Sequence, residues 1–207
     1  MSSDIVIKQL AVRGLDDNFS YLMYSKANKE AAIVDPCGNA EVIRDAVKAH
    51  PGLKPKYILL THGHHDHRDA LPRVKEFFAA PVAACSLYSG PTDLKLVNHQ
   101  TLPFGRVSIE CLHAPGHSVD SMVYRLSDDS ALFTGDTLFI DCCGYCEAKT
   151  MFKTLCEVIR PLADSNVVYP GHNYGHVPSA PLGEEKRSNP YLREDDFDKF
   201  KEELKKL

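Results

Sequence analysis

Residues 58–71, ILLTHGHHDHRDAL, put four histidines and one aspartate into six consecutive positions, His62 to His67. Imidazole is poor core filling, and its ring nitrogens need partners when buried. A chain that gathers such rings after an apolar run has a use for them. His62, His64, Asp66 and His67 form the pattern H-x-H-x-D-H. Alternation in an extended turn lets His62 and His64 converge on one ion. Asp66 and His67, one turn further on, face a neighbouring ion. The donors are all nitrogen and oxygen, a set suited to zinc, iron or manganese with no thiolate required. His65, between them, is expected to point outward.

This cluster supplies too few donors for two ions, so the rest must come from elsewhere. Three candidates stand at strand-end punctuation: His117 in HAPGHSVDS, Asp136 in LFTGDTLF and His172 in VVYPGHNYG. With the first cluster, the order of strand, turn and ligand occurs four times. A carboxylate such as Asp136 can bridge two cations. Water bound there, with its pKa lowered to about 7, becomes a nucleophile at neutral pH. Of the other histidines, His113 is a candidate support for His117 and His176 a candidate pocket wall. His50 and His99 are expected at the surface. Cys142, Cys143 and Cys146 lie close to the presumed site, and Cys143-x-x-Cys146 has the spacing for a disulfide or a metal. Their plainer role is as small buried apolar groups.

The elements that must hold these residues read as a layered α/β domain. Strands are expected at 5–12, 19–25, 31–38, 56–61, 82–85, 107–112, 121–126, 131–134 and 166–169. The run at 56–61 is short and mostly apolar, the mark of a strand buried on both faces. Helices are expected at 39–50, with Asn39 as cap and Pro51-Gly52 as stop, at 68–80, at about 148–160 and in the charged C-terminal segment 194–207. The His62–His67 cluster then falls between a buried strand and a helix, where a rigid sheet presents chemistry.

Length and composition agree with a soluble α/β enzyme. The chain has 207 residues, net charge −4, ten histidines and seven cysteines. That length can bury a sizeable core, and 1–207 is expected to be one domain ending in a short helix. No basic face advertises nucleic acid, and no apolar run approaches the roughly 20 residues of a membrane span. The start, MSSDIVIKQLAV, lacks the zones of a signal peptide, and the odd cysteine count suits reduced thiols. The expected setting is cytoplasmic, as monomer or dimer.

The segments THGHHDH, APGHS, GDTLF, YPGHNY and EKRSNPYL together resemble the metallo-β-lactamase superfamily. Within it they are similar to the branch of glyoxalase II (hydroxyacylglutathione hydrolase) and persulfide dioxygenase. The resemblance implies a four-layer αββα sandwich with metals at one edge between the sheets. It implies that His62, His64, His117 and Asp136 hold a first ion, and Asp66, His67, Asp136 and His172 a second. Zinc is the expected metal by availability, with iron or manganese served by the same donors.

The implied activity is hydrolysis of a small acyl thioester, such as a hydroxyacylglutathione, by a metal-bound hydroxide. Asp66 and Asp136 are then the catalytic carboxylates, Asp66 orienting the hydroxide. No G-x-S-x-G elbow is present. Tyr145 and Tyr174 are the candidate substrate contacts. Tyr174 matches a tyrosine of the glutathione-binding pattern. Tyr145 stands where both branches expect a basic residue, and the long C-terminal region of glyoxalase II has little counterpart in the residues after His172. The alternative is a mono-iron glutathione persulfide dioxygenase, in which His62, His117 and Asp136 form the facial triad. That branch often carries Ala where this chain has Gly171.

Overall fold

The computed structural model describes residues 4–207. The first three residues, part of the start read above for a leader, lie outside them.

Twelve strands form two six-stranded sheets. The first contains β1 (Ile5–Ala11), β2 (Phe19–Ser25), β3 (Glu30–Val34), β4 (Lys54–Leu59), β5 (Val82–Cys85) and β6 (Leu94–Leu96), neighbours in that order. The second runs β12 (Ala180–Pro181), β11 (Val167–Pro170), β10 (Ala131–Gly135), β9 (Met122–Leu126), β8 (Val107–His113), β7 (Gln100–Phe104).

The period of two along each central strand decides the layers. Phe19, Tyr21 and Met23 of β2 point into the space between the sheets, as do Tyr57 and Leu59 of β4, Tyr124 of β9 and Phe133 of β10. Their alternates Leu22, Ile33 and Ile58 face the other way, onto α1 (Ala40–Lys48) and α2 (Leu71–Phe77). On the far side Val123, Leu132 and Val168 meet α3 (Ala148–Thr154), α4 (Leu182–Ser188) and α5 (Phe197–Leu204). The result is the expected αββα sandwich.

Two parallel pairings place the site. β3 lies parallel to β4, and β10 parallel to β11, so the carboxyl ends of all four strands reach one edge. There the sheets are tied together. Met122 N donates to the Thr61 carbonyl at 2.7 Å, Phe19 N to that of Gly171 at 2.9 Å, and the Tyr124 hydroxyl to that of Leu60 at 2.6 Å.

Asn39 caps α1 as its sequence suggests, accepting from Glu41 N at 3.0 Å. The expected strand 31–38 ends at Val34, because Asp35 turns with positive φ to bond other loops and Pro36 offers no donor. The strand at 56–61 is shifted to Lys54–Leu59, and the helix at 68–80 shortens to α2. The helix at 148–160 is α3 followed by a π-helical stretch, Leu155–Ile159. The expected list lacks β6, β7, β12 and α4. β7 opens on the polar pair Gln100-Thr101 and contains Pro103, which reads as loop. It is an edge strand, where a missing N–H costs no ladder bond. His50 is not a free surface residue: its ring packs half-buried 4.7 Å from that of Tyr24. No helix among the described residues is long and apolar enough to cross a membrane.

Candidate metal centre

Four loops deliver seven donors to that edge. The chain leaves β4 through Thr61, presents His62 and His64 before a single 3-10 turn at His65–His67, and carries Asp66 and His67 on that turn. His117 sits in the loop between β8 and β9. Asp136 directly follows β10, and His172 follows β11 by one residue past Gly171.

Donor atoms of His62, His64 and His117 lie within 4.8 Å of one another, as do those of His62, His67 and Asp136, and those of Asp66, His67 and His172. His117 Nε2 is 2.9 Å from His64 Nδ1, and His67 Nε2 is 3.2 Å from His172 Nε2. Asp136 spans both halves. Its Oδ1 is 3.2 Å from His67 Nε2, and its Oδ2 is 3.5 Å from His117 Nε2 and 3.4 Å from His172 Nε2.

Two of the donor atoms lack ordinary partners. His62 Nε2 and Asp136 Oδ1 are buried without a hydrogen bond, the latter close to His67 but misaligned with it. Buried polar atoms left so are costly, and a cation between them removes the cost. Burial disfavours charge on the rings, and at His62 it holds the pKa well below the usual histidine value. At His67 burial is outweighed by Asp136 and Asp35, which push the pKa well above it. Burial also opposes ionisation of Asp136, but His67 and His172 hold it well below the carboxylate range. A divalent cation takes neutral rings and ionised carboxylates, and would displace the proton that Asp136 and Asp35 favour on His67. The convergent nitrogen and oxygen donors, two of them buried without a partner, fit divalent metal.

Three of the rings are fixed from behind by oxygen acceptors, an arrangement usual for metal-binding imidazoles. His67 Nδ1 lies 3.1 Å from Asp35 Oδ2, His172 Nδ1 2.7 Å from the Asp16 carbonyl and His117 Nδ1 2.8 Å from that of Tyr145. Asp35 also accepts from Thr61 N at 2.7 Å and Thr61 Oγ1 at 2.6 Å. Asn18 Nδ2 donates to Asp66 Oδ2 at 3.0 Å. Sequence reasoning missed Asp35, Asn18 and Phe139. For Asp35 a signal existed: AAIVDP ends an apolar strand on a carboxylate, as LFTGD does. Asn18 and Phe139 had none.

Two glycines are dictated by close approach. Gly135 has φ +49°, and a Cβ there would lie 2.5 Å from Thr61 Oγ1. At Gly171 a Cβ would overlap Asp136 Oδ1 and lie 2.7 Å from His67 Cε1.

The substrate-side expectations divide. Tyr145 is 88% exposed and, with His117 and Asp136, lines a cavity of about 530 Å³. Tyr174 lines it too, stacked on His172 at 4.8 Å with its hydroxyl given to Asp16 Oδ2. Phe139 meets His172 edge-on at 5.7 Å. His65 is exposed, as expected, and so is His99. His176 is no pocket wall: it is drawn to the Asp141 carboxylate at 2.7 Å. His113 bonds the Val119 carbonyl at 2.9 Å, bracing the loop of His117 without touching the cluster. All seven cysteines are free. Burial pushes the Cys142 thiol up to about 11, away from the thiolate form. Cys143 is buried and its thiol is hydrogen-bonded to that of Cys146, whose pKa that contact lowers.

The segment after Asp136 is held from beneath. Asn189 Nδ2 donates to the Cys142 carbonyl at 3.1 Å and to Glu185 Oε2 at 2.8 Å, and Glu185 Oε2 accepts from Asp141 N at 2.9 Å. Both side chains are buried.

Comparison with known proteins agrees with this geometry. The family model described as Metallo-beta-lactamase superfamily matches residues 13–180. A probable hydroxyacylglutathione hydrolase of Schizosaccharomyces pombe is 34% identical over 174 residues, 78% of this chain and 66% of that protein. The chain thus spans just under two thirds of that relative's length. The mitochondrial persulfide dioxygenase of Mus musculus is 30% identical over 185 residues, 84% of this chain and 71% of that one. The crystal structure of a protein of the same name, ETHE1, from Myxococcus xanthus superposes with a TM-score of 0.84 at 26% identity, covering 97% of this chain and 90% of that one.

Proposed function

The chain belongs to the metallo-β-lactamase superfamily, and from that premise we propose that it is a two-metal hydrolase of small acyl thioesters. The observation that carries this is the position of Asp136. One carboxylate faces His117 on one side and His67 and His172 on the other, within 3.5 Å of each. A single-iron site built on His62, His117 and Asp136 would leave His67, His172 and Asp66 converging on nothing. The space a methyl at position 171 would need is used by Asp136 itself.

His62, His64, His117 and Asp136 would hold one ion, and Asp66, His67, His172 and Asp136 the other. The chemistry that bound cations supply is acidification of water and polarisation of the scissile carbonyl. Asp66, steadied by Asn18, accepts the hydrogen bond of the attacking water and aims its lone pair at the acyl carbon. The Asp35, Asp16 and Tyr145 acceptors fix three rings so that little reorganisation is needed as charge develops. The water oxygen bonds to the acyl carbon and the carbon–sulfur bond breaks. The acyl group leaves as the acid, and the thiol takes the remaining proton. The seven free thiols support a reducing, cytoplasmic setting.

The alternative, oxygen-dependent oxidation of glutathione persulfide at one iron, is favoured by the similarity to persulfide dioxygenase. One experiment separates the two. Protein loaded with zinc, and separately with ferrous iron, is offered S-lactoylglutathione, a neutral acyl thioester and glutathione persulfide, while thiol release and oxygen uptake are followed. Thioester cleavage by the zinc form is the expected result. Oxygen uptake with persulfide by the iron form alone, without thioester cleavage, overturns the hydrolase.

A further inference from the structure

Seven large hydrophobic side chains stand exposed among the described residues: Leu15, Leu87, Val97, Val119, Tyr145, Tyr174 and Leu207. Scattered singly they would need no explanation. They are not scattered. Tyr145, Tyr174 and Leu207 line the cavity that contains Asp66, Asp136 and His172. Val119 and Tyr145 line a second cavity that shares His117 with it. Leu87 and Val119 line a third, beside His64. Five of the seven therefore ring the opening of one site. Contiguous exposed apolar surface of this kind marks a binding surface.

The charges in the same walls point to what it binds. Outside the proposed metal ligands, the acids are Asp16, Asp120 and Glu147. The non-histidine cations are Arg68 and Lys206. Arg68 Nε is given to the Gly63 carbonyl at 2.8 Å, in the wall it shares with Asp120. Lys206 is paired with Glu203 at 2.7 Å. Glutathione brings two carboxylates and one ammonium, and two anions need cations at the mouth. At position 145, on the wall shared by the first two cavities, a tyrosine ring stands 88% exposed in place of any cation.

We infer that this mouth selects thioesters whose thiol portion is apolar and uncharged, an alkyl or aryl thiol, over the dicarboxylate tripeptide glutathione. The inference rests on the thioester reading above for the reaction, which is unchanged: water adds to the acyl carbon, the carbon–sulfur bond breaks, and the apolar thiol departs with a proton. The ring of side chains covers that thiol portion, with Tyr145 and Val119 as its central contacts.

The test uses the zinc-loaded full chain and a matched pair: the lactoyl thioesters of benzyl mercaptan and of glutathione. Their non-hydrolysable thioethers are measured alongside by calorimetry, so that binding is read without turnover. The expected result is a preference of about tenfold or more for the benzyl compound in both kcat/KM and Kd. Tyr145→Lys should shrink or reverse that preference by about tenfold, while Tyr145→Phe keeps it. Position 145 is exposed enough for both variants to fold. Val119→Glu should weaken the benzyl thioether while Tyr145 stays in place. If the glutathione thioether binds as tightly as the benzyl one, or neither binds, the inference is overturned. If neither thioester is cleaved but the binding preference and its reversal by Tyr145→Lys are seen, the hydrolase reading falls and the inference about the mouth stands.

Discussion

The two sides of the metal centre are built to opposite rules. On the deep side His62, His67, Asp136 and His172 are 0–8% exposed, packed under the joined edges of both sheets. His67 and His172 there are held from behind by Asp35 and the Asp16 carbonyl. On the open side His64 is exposed, and so are Tyr145 and Val119. The deep side tolerates no change in volume, since even Gly171 has no room for a methyl. The open side has tight backbone positions too, but it leaves the side chains at 119 and 145 in solvent. A site divided in this way fixes its chemistry in the protein interior and leaves its choice of substrate to surface residues. That division accounts for one fold serving many substrates.

If the division is real, damage should grade with depth. The largest effect is expected from Asp136→Ala, which removes the carboxylate shared by both halves. Activity should fall by about a thousandfold or more, and metal content by emission spectrometry should drop as well. A variant that keeps both would break the comparison at its centre.

Next is Asp35→Ala, which touches no substrate. It frees the His67 ring and leaves the Thr61 donors unpaired. Metal affinity, measured by chelator competition, should fall about 10- to 100-fold. An unchanged affinity would show that the deep side does not depend on what lies behind the rings.

Gly171→Ala adds one methyl group against Asp136 and His67. It should cost about 1–3 kcal/mol, read by denaturant unfolding of metal-free protein, with weaker metal binding besides. A methyl group added at an exposed position, as in Ser89→Thr, should be nearly silent.

The smallest effect concerns the buried pair beneath the loop after Asp136. Burial raises the pKa of Glu185, with Asn189 and the Asp141 amide opposing it. A carboxyl raised in the folded state favours folding most below its unfolded value, near 4.5, and that advantage is lost as pH rises through the higher folded value. Glu185→Gln does not titrate. Measured from about pH 4 to pH 7, the stability of wild type relative to Glu185→Gln should therefore decline with rising pH. A difference that grows instead would mean that the ionised form is the one the fold prefers.

Much of this was legible in the sequence, for identifiable reasons. The H-x-H-x-D-H run is local: six residues in one turn carry their geometry with them, and Asp66 and His67 fall on the second group as their spacing implies. His117, Asp136 and His172 could be picked out because each follows an apolar strand and a Gly, a signal that survives without knowledge of the fold. The β2 and β5 boundaries are those of their apolar runs. Motif resemblance then implied the sandwich, which alternation along single strands does not determine.

Tertiary structure alone decided the rest. That the carboxyl ends of β3, β4, β10 and β11 share an edge depends on which strands pair in parallel and on ties between the sheets, such as Phe19 to Gly171 and Met122 to Thr61, all between residues distant in sequence. Asp35 became the support of His67, Asn18 that of Asp66 and Asn189 that of the Cys142 loop for the same reason. Each acts through a partner that its own segment does not announce. His50 and His176 went astray because a histidine's surroundings, Tyr24 in one case and Asp141 in the other, come from distant chain. The apolar ring around the mouth is the extreme case. Leu87, Val119 and Leu207 look like incidental surface residues one by one, Tyr145 and Tyr174 stand out only through the motif resemblance, and folding draws all five around a single opening.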